Sequence, residues 1–329
     1  GNALGVKADP RGRDENGVTD ADRTAAGVGL LRSTDGGRTW AVLDNVVNGT
    51  GGVVSRISDP IRGSRTFFGA SGFKVVVDPN STLAGGVTVY MALTGSDAQN
   101  GVWRSRDGGI NWTRIQAGNA TDVVLAAGSG ATPTGPSNLR RLYASFAGGG
   151  AGAAAGVYFT PDALNATGLS LMAGNAAGTL PNVRDFLGQP AFAPGVEVAV
   201  RNNPTPNGVA GGRIALAAPA LTNDPVRNFF YQDWLYAVVV NPNGTLNGLY
   251  QTKDRGLNWT RVRIPFFNAG GNVGFPTNNE ANPDGDYDLL TTYGIGQGRY
   301  NLALVVDPQK PAVLYLSGVA RAHWVGQLG

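Results

Sequence analysis

The sequence has no cysteine and a single histidine, His323, and these absences remove several kinds of chemistry. Without cysteine the chain forms no disulfides, thiolate metal sites or cysteine nucleophiles. Ser-His-Asp catalysis and histidine-based zinc sites would both depend on His323, near the C-terminus, and we expect neither. The chain also lacks a run of about 18 apolar residues, so we expect no membrane span.

Charged side chains are scarce, at 15% of 329 residues, and the formal net charge is only +3. No run of basic residues is longer than Arg140-Arg141, so we do not expect nucleic acid as a partner. Lys and Glu, both good helix formers, occur four and three times, whereas Gly occurs 50 times. With 42% hydrophobic residues, this composition predicts a globular all-β fold of strands and tight turns.

One eight-residue pattern occurs four times, and we call its copies boxes 1 to 4: residues 33–40, 105–112, 160–167 and 252–259. Each box has a hydroxyl residue with an Asp two positions later; three also have Gly and a final Trp, whereas box 3 lacks both. Each follows a strand-like segment, which predicts a strand-turn-strand unit. We expect the Asp to hold its own turn and the Trp to anchor the hairpin. These residues are Asp35, Trp40, Asp107, Trp112, Asp162, Asp254 and Trp259.

The pattern Ser/Thr-x-Asp-x-Gly-x-Thr/Asn-Trp resembles the Asp-box, or BNR repeat, of sialidase-like and sortilin-like β-propellers. The resemblance implies an all-β β-propeller of four-stranded antiparallel blades, with Asp-box hairpins between the third and fourth strands. It also implies that the box Asp residues are structural and remote from the ligand face. A second repeat supports the blades, since buried-strand runs ending in Asp-Pro at 73–79 and 302–308 each precede a Tyr-bearing strand.

We expect residues 1–329 to form a single β-propeller domain or part of one. The boxes are farther apart than the roughly 40 to 50 residues of a compact blade, which predicts long inserted loops near 46–71, 174–211 and 266–300. The first unit lacks its first two strands and the last unit lacks its last two. Either these ends complete one blade together, or the chain is a slice of a larger propeller. Since it begins at Gly1 without Met, we expect a processed product or a piece of a longer protein.

A metal site is suggested by oxygen-bearing side chains on alternate residues of one acidic segment. Alternation lets several such side chains converge on a hard cation, and calcium takes six to eight oxygen ligands. Calcium is therefore the one cofactor that the sequence suggests, and a solvated acidic loop is the alternative, as it is for a second cluster at 14–22. The candidate ligands are Asn282, Asp284, Asp286 and Asp288.

Sialidase catalysis fits the sequence poorly. The Phe/Tyr-Arg-Ile-Pro motif of sialidases precedes the first box, whereas the Arg-Ile-Pro here begins at Arg263, after box 4, where it fits a strand. We therefore assign no catalytic residue. We expect a non-catalytic extracellular or cell-surface propeller that acts as a structural or protein/glycan interaction module in a larger secreted protein, and the Arg, Ala and Gly bias suggests a bacterial source. The alternatives are a sialidase-like glycoside hydrolase and an assembly factor.

Overall fold

The computed structural model describes residues 30–47, 53–56, 67, 70–79, 81, 86–95, 97, 99–127, 140–147, 152–153, 155–172, 183–184, 212–220, 222, 224–256, 259–262, 264, 266–267, 273–274, 290–292 and 295–318. This part of the chain is all-β, with one short helix, α1 (Pro225–Tyr231). Its strands are β1 (Leu30–Arg32), β2 (Ala41–Val47), β3 (Val53–Arg56), β4 (Ser71–Val77), β5 (Val89–Thr94), β6 (Gly101–Ser105), β7 (Asn111–Gln116), β8 (Ala120–Ala127), β9 (Arg140–Phe146), β10 (Gly156–Thr160), β11 (Ser170–Leu171), β12 (Val183–Arg184), β13 (Ile214–Ala217), β14 (Leu235–Val240), β15 (Leu246–Thr252), β16 (Trp259–Val262), β17 (Phe266–Phe267), β18 (Val273–Gly274), β19 (Thr291–Thr292), β20 (Ile295–Gly296), β21 (Ala303–Val306) and β22 (Leu314–Ser317).

Three four-stranded antiparallel meanders follow one another along the chain. The first sheet has the order β4-β5-β6-β7, the second β8-β9-β10-β11 and the third β13-β14-β15-β16. In each, a box joins the third strand to the fourth, as the repeat predicts. The first sheet continues from β7 through β3 and β2 to β1, and β12 pairs with β16 in parallel. A fourth sheet, β21 with β22, and the pairs β17-β18 and β19-β20 complete the described strands.

The four sheets pack face to face in chain order, with the first strand of each, which we call its inner strand, next to the inner strand of the following sheet. The inner strands are β4, β8, β13 and β21. Apolar clusters lie between successive sheets: Tyr90 and Val123 between the first and second, Tyr143 and Leu216 between the second and third. Since β14 is covered on both faces, all six of its residues are buried, which explains its unbroken apolar run.

A partly buried ion pair joins the first three sheets at their inner strands. Lys74 of β4 places its Nζ 3.0 Å from Oδ1 of the buried Asp122 in β8. The same ammonium group donates to the carbonyl of Leu216 in β13 at 3.1 Å, and the Leu216 N–H donates to Asp122 Oδ2 at 2.8 Å. Burial raises the pKa of Asp122, while Lys74 and the N–H groups of Leu216 and Val123 oppose that rise. One carboxylate is thus held from both neighbouring sheets.

Hydroxyl groups add a second polar link between the second and third sheets. Thr121 Oγ1 and Ser145 Oγ lie 3.0 Å apart, and each lies within donating distance of the Ile214 carbonyl, at 3.2 and 2.7 Å. The Ile214 N–H donates to Thr121 Oγ1 at 3.3 Å. Because buried polar groups require partners, these contacts fix where β13 lies against β8 and β9.

The described residues do not show the two incomplete ends joined in one sheet. β1 pairs with β2 alone and β22 pairs with β21 alone. The described parts of the three predicted insertions contain short strands, namely β3 in the first, β12 in the second and β17 to β20 in the third.

The ion pair gives the first testable prediction. Lys74→Met leaves the Asp122 carboxylate buried without its counter-ion, so we expect the free energy of unfolding, measured by urea titration, to fall by about 2 to 3 kcal/mol. The exposed Lys310 makes no such pair, and Lys310→Met should change it by about 0.5 kcal/mol or less. Equal losses in the two variants would contradict the assignment.

Candidate functional site

Box 2 shows how a box closes its turn. The Ser105 hydroxyl donates to Asp107 Oδ1 at 2.8 Å and accepts the Gly109 N–H at 2.8 Å. Asp107 also accepts the Asn111 N–H at 2.8 Å and the Asn111 side-chain amide at 2.6 Å. The carboxylate is therefore occupied by donors from its own hairpin, an arrangement suited to holding a turn and not to catalysis.

The other boxes repeat these contacts to different extents. In box 1 the Thr39 N–H and hydroxyl donate to Asp35 at 2.9 and 2.5 Å. In box 4 the Thr252 hydroxyl donates to Asp254 at 2.8 Å. The degenerate box 3 keeps the Asp contact, since Asp162 Oδ2 accepts from the side-chain amide of its own turn at 2.8 Å. All four Asp residues thus bond within their own hairpins.

The box Trp is buried in boxes 2 and 4 but not in box 1. Trp112 and Trp259 are each 1% exposed, whereas Trp40 is 61% exposed. The Trp112 indole N–H donates to the Gly109 carbonyl at 2.8 Å, and its ring meets Phe67 edge-on at 6.0 Å. Trp40 keeps the contact with its own turn, since its indole N–H donates to the Gly37 carbonyl at 3.0 Å. Its ring is nevertheless exposed, because the β1-β2 hairpin lies at the outer edge of the first sheet.

Box 4 has an Arg where box 2 has a Gly with left-handed backbone. Gly108 and Gly109 have φ of 70° and 95°, and in box 4 Arg255 and Gly256 have φ of 64° and 84°. A left-handed conformation costs a non-glycine residue roughly 1 to 2 kcal/mol. Arg255 is held there from outside the box, since its Nε lies 3.5 Å from Asp233 Oδ1 and its N–H donates to the Asp233 carbonyl.

A cavity of 680 Å³ lies at the opposite end of the sheets from the box turns. In an antiparallel meander the start of the first strand lies opposite the turn after the third strand. The cavity is lined where inner strands begin: Phe73 in β4, Thr121 in β8, Arg213 before β13, and Arg299 and Tyr300 before β21. Loops from all four sheets therefore contribute to one site.

Arg213 supplies a partly buried positive charge to this cavity. Its guanidinium carbon lies 5.3 Å from the centre of the Phe73 ring, and its Nε is buried without a hydrogen-bond partner. Burial lowers the pKa of Arg213, and the charge of Asp122 opposes that change. Arg299 donates to the Pro242 carbonyl beside it. None of the described residues lining the cavity is Asp or Glu, so the site offers cations, hydroxyls and aromatic rings but no carboxylate pair.

Several residues that the sequence singled out lie outside the described residues. Where the structure describes the chain, no group of three or more His, Cys, Asp or Glu is placed to hold a metal ion. No helix within those same ranges is long and apolar enough to cross a membrane. Calcium binding by the acidic segment therefore stays a prediction. The residues outside the described part are Asn282, Asp284, Asp286, Asp288, Arg263 and His323.

No protein-family model matches the chain, and no curated protein sequence matches it. The resemblance to Asp-box propellers consequently depends on the four boxes and the strand pattern alone.

Sequence reasoning missed the cavity and the ion pair beside it. A signal was present for the pair, because Lys74 and Asp122 are the only charged residues in their strands, and a charge among strand residues that face a core requires a partner. Arg213 carried no comparable signal. Its role depends on Phe73 and Thr121, which reach it only through the packing of three sheets.

Two Trp residues at the same box position provide a matched pair of variants. Trp112→Ala removes a fully buried ring, and we expect the free energy of unfolding to fall by about 3 to 5 kcal/mol. Trp40→Ala removes an exposed ring and should cost about 1 kcal/mol or less. Urea titration of both variants checks this expectation, which equal losses would refute.

The box carboxylate also predicts a dependence of stability on pH. The Thr39 hydroxyl and N–H, with the Ser33 hydroxyl, lower the pKa of Asp35 from 3.8 to about 2. A carboxyl whose folded pKa is depressed stabilises the fold above its unfolded pKa, and this contribution disappears as the pH falls through the folded pKa. Between about pH 4 and pH 2, wild type should therefore lose stability relative to Asp35→Asn in urea titrations. A difference that stays constant over this window would show that Asp35 does not act in this way.

Proposed function

We propose that this chain is a non-catalytic interaction module built as an Asp-box β-propeller, that it acts at the cell surface or outside the cell, and that it binds a protein or glycan ligand in the cavity where the inner strands begin. The cavity is the main observation that supports this proposal. Loops from four successive sheets line it, and binding sites are commonly concave, largely preformed places of this kind. The exported location rests on the resemblance alone.

The packing order supports the propeller. Successive sheets meet through their inner strands, as blades do around an axis, and the box turns lie at the end remote from the cavity. The Arg32 side chain donates to the Gly108 carbonyl at 2.9 Å, so boxes 1 and 2 lie at the same end of the molecule. The box end is thus formed by closed turns, and the opposite end remains free to bind a ligand.

The available carboxylates favour binding over hydrolysis. Glycoside hydrolysis commonly uses two carboxyl groups flanking the scissile bond. The described lining residues offer none, and the nearby Asp122 is engaged by Lys74 and by the N–H of Leu216. The sialidase-like alternative would therefore need carboxylates from residues other than these.

The chemistry of the lining residues suggests an anionic ligand. An Arg guanidinium forms two parallel charge-assisted hydrogen bonds with a carboxylate, and the partly buried Arg213 lines the cavity with an Nε that has no hydrogen-bond partner. The aromatic residues Phe73 and Tyr300, the latter 79% exposed, line the same space. An acidic sugar, or an acidic side chain of a protein ligand, would match both features.

Titration calorimetry with N-acetylneuraminic acid and glucuronic acid, compared with neutral galactose, tests this proposal. We expect the acidic sugars to bind and Arg213→Met to weaken binding about tenfold or more, because a hydrogen bond to a charged group contributes about 1.5 to 3 kcal/mol. Arg38→Met, in box 1 at the opposite end, is the matched control and should bind like wild type. Unchanged binding by Arg213→Met would contradict the site, and release of fluorophore from methylumbelliferyl glycosides would favour the hydrolase.

A further inference from the structure

The two ends of the stack of sheets present uncovered faces. We call the face that each sheet turns towards the next sheet its forward face, and the other its backward face. Within the described residues, no other sheet packs extensively on the forward face of the fourth sheet or on the inner-strand part of the backward face of the first sheet. Both parts are mostly apolar, with Ser317 as a polar residue on the forward face of the fourth sheet.

The forward face of the fourth sheet exposes a type of side chain that is buried at the matching positions of the earlier sheets. The second strands of the first three sheets each place a Tyr on the forward face: Tyr90, Tyr143 and Tyr236 are 0%, 0% and 3% exposed. Tyr315 occupies the matching strand of the fourth sheet and is 58% exposed, beside Val305 at 53%. The repeat thus places a sheet-contacting Tyr where the described chain has no following sheet.

The backward face of the first sheet likewise exposes apolar side chains of a kind that is buried on the backward face of the second sheet. In β8 of the second sheet, Val123 and Leu125 face backward into the first sheet and are 0% and 8% exposed. In β4 of the first sheet, Lys74 and Val76 face forward, so the alternation of the strand turns Val75 and Val77 backward. Each of these two is 52% exposed.

We infer that the forward face of the fourth sheet in one copy of this chain packs on the backward face of the first sheet in a second copy. Each pair of neighbouring sheets within the chain already uses this contact, forward face against backward face, so the new interface continues one that the fold builds three times. The chain itself thus offers the complement of each exposed face. A contact between two different patches is heterologous, and it closes into a ring if the rotation permits.

Two copies would close such a ring with two equivalent contacts. Each copy contributes four sheets, and a ring of eight is within the range of known propellers. The inference concerns the flanks of the stack and not the cavity, so it stands or falls independently of the proposed ligand.

Sedimentation velocity over a wide range of concentrations tests the interface. We expect wild type to form dimers that dissociate on dilution, and Tyr315→Lys and Val75→Glu each to sediment as monomers. Both positions are half exposed, so circular dichroism and the urea midpoint should show that the variants remain folded. Ile110→Lys is the matched control, since Ile110 is 43% exposed in the box 2 turn, away from both faces.

Mixing the two variants tests the head-to-tail geometry. The Val75→Glu copy keeps an intact forward face and the Tyr315→Lys copy keeps an intact backward face, so one contact is native and the other opposes Lys with Glu. We expect the mixture to regain a dimer containing one copy of each. Wild type that stays monomeric throughout, single variants that associate like wild type, an Ile110→Lys variant that is equally disrupted, or a mixture that stays monomeric would each overturn the inference.

Discussion

The contact between Lys74, Asp122 and Leu216 fixes the inner strands of the first three sheets relative to one another. Burial of apolar surface between two sheets is nearly indifferent to a small slip along the strands. An ion pair shared by three inner strands does resist such a slip, because the slip would leave a carboxylate buried without its partner. We infer that this contact sets the relative positions of the first three sheets. Thr121 lies within β8 and Arg213 directly precedes β13, so the contact also determines where these two residues lie.

The box end and the cavity end of the sheets differ in how their polar side chains are hydrogen-bonded. At the box end, Asp35 and Asp107 take donors from their own turns, so each hairpin is closed by contacts that cross no sheet boundary. At the cavity end, the side chains of Phe73 and Arg213 meet across sheets, and the Arg213 Nε lacks a partner. Satisfied turns at one end provide a rigid support, and the partly buried Arg213 at the other end is the group that we propose contacts the ligand.

The separation between local and distant contacts also explains what the sequence could predict. The box contacts span four residues or fewer, so the pattern of hydroxyl, Asp and Gly was sufficient for the hairpins and for the all-β class. The four-stranded order followed from repetition of the units. The exposure of Trp40 depends on which sheets flank its hairpin, and the role of Arg213 on where β13 meets β8. The sequence around Trp40 and around Arg213 does not indicate either of these dependences.

The second-strand tyrosines extend this argument from single residues to the ends of a repeat. Tyr236 and Tyr315 occupy matching strands, yet one is buried and the other is mostly exposed. A repeated sequence fixes which face a side chain occupies, but only the neighbour fixes whether that face is covered. In a stack of sheets, each interior sheet is covered on both faces by its neighbours in the chain, whereas the first and last sheets are each covered on one face only. Apolar residues kept at the two end faces are therefore best explained by a partner surface with the same chemistry as the next sheet.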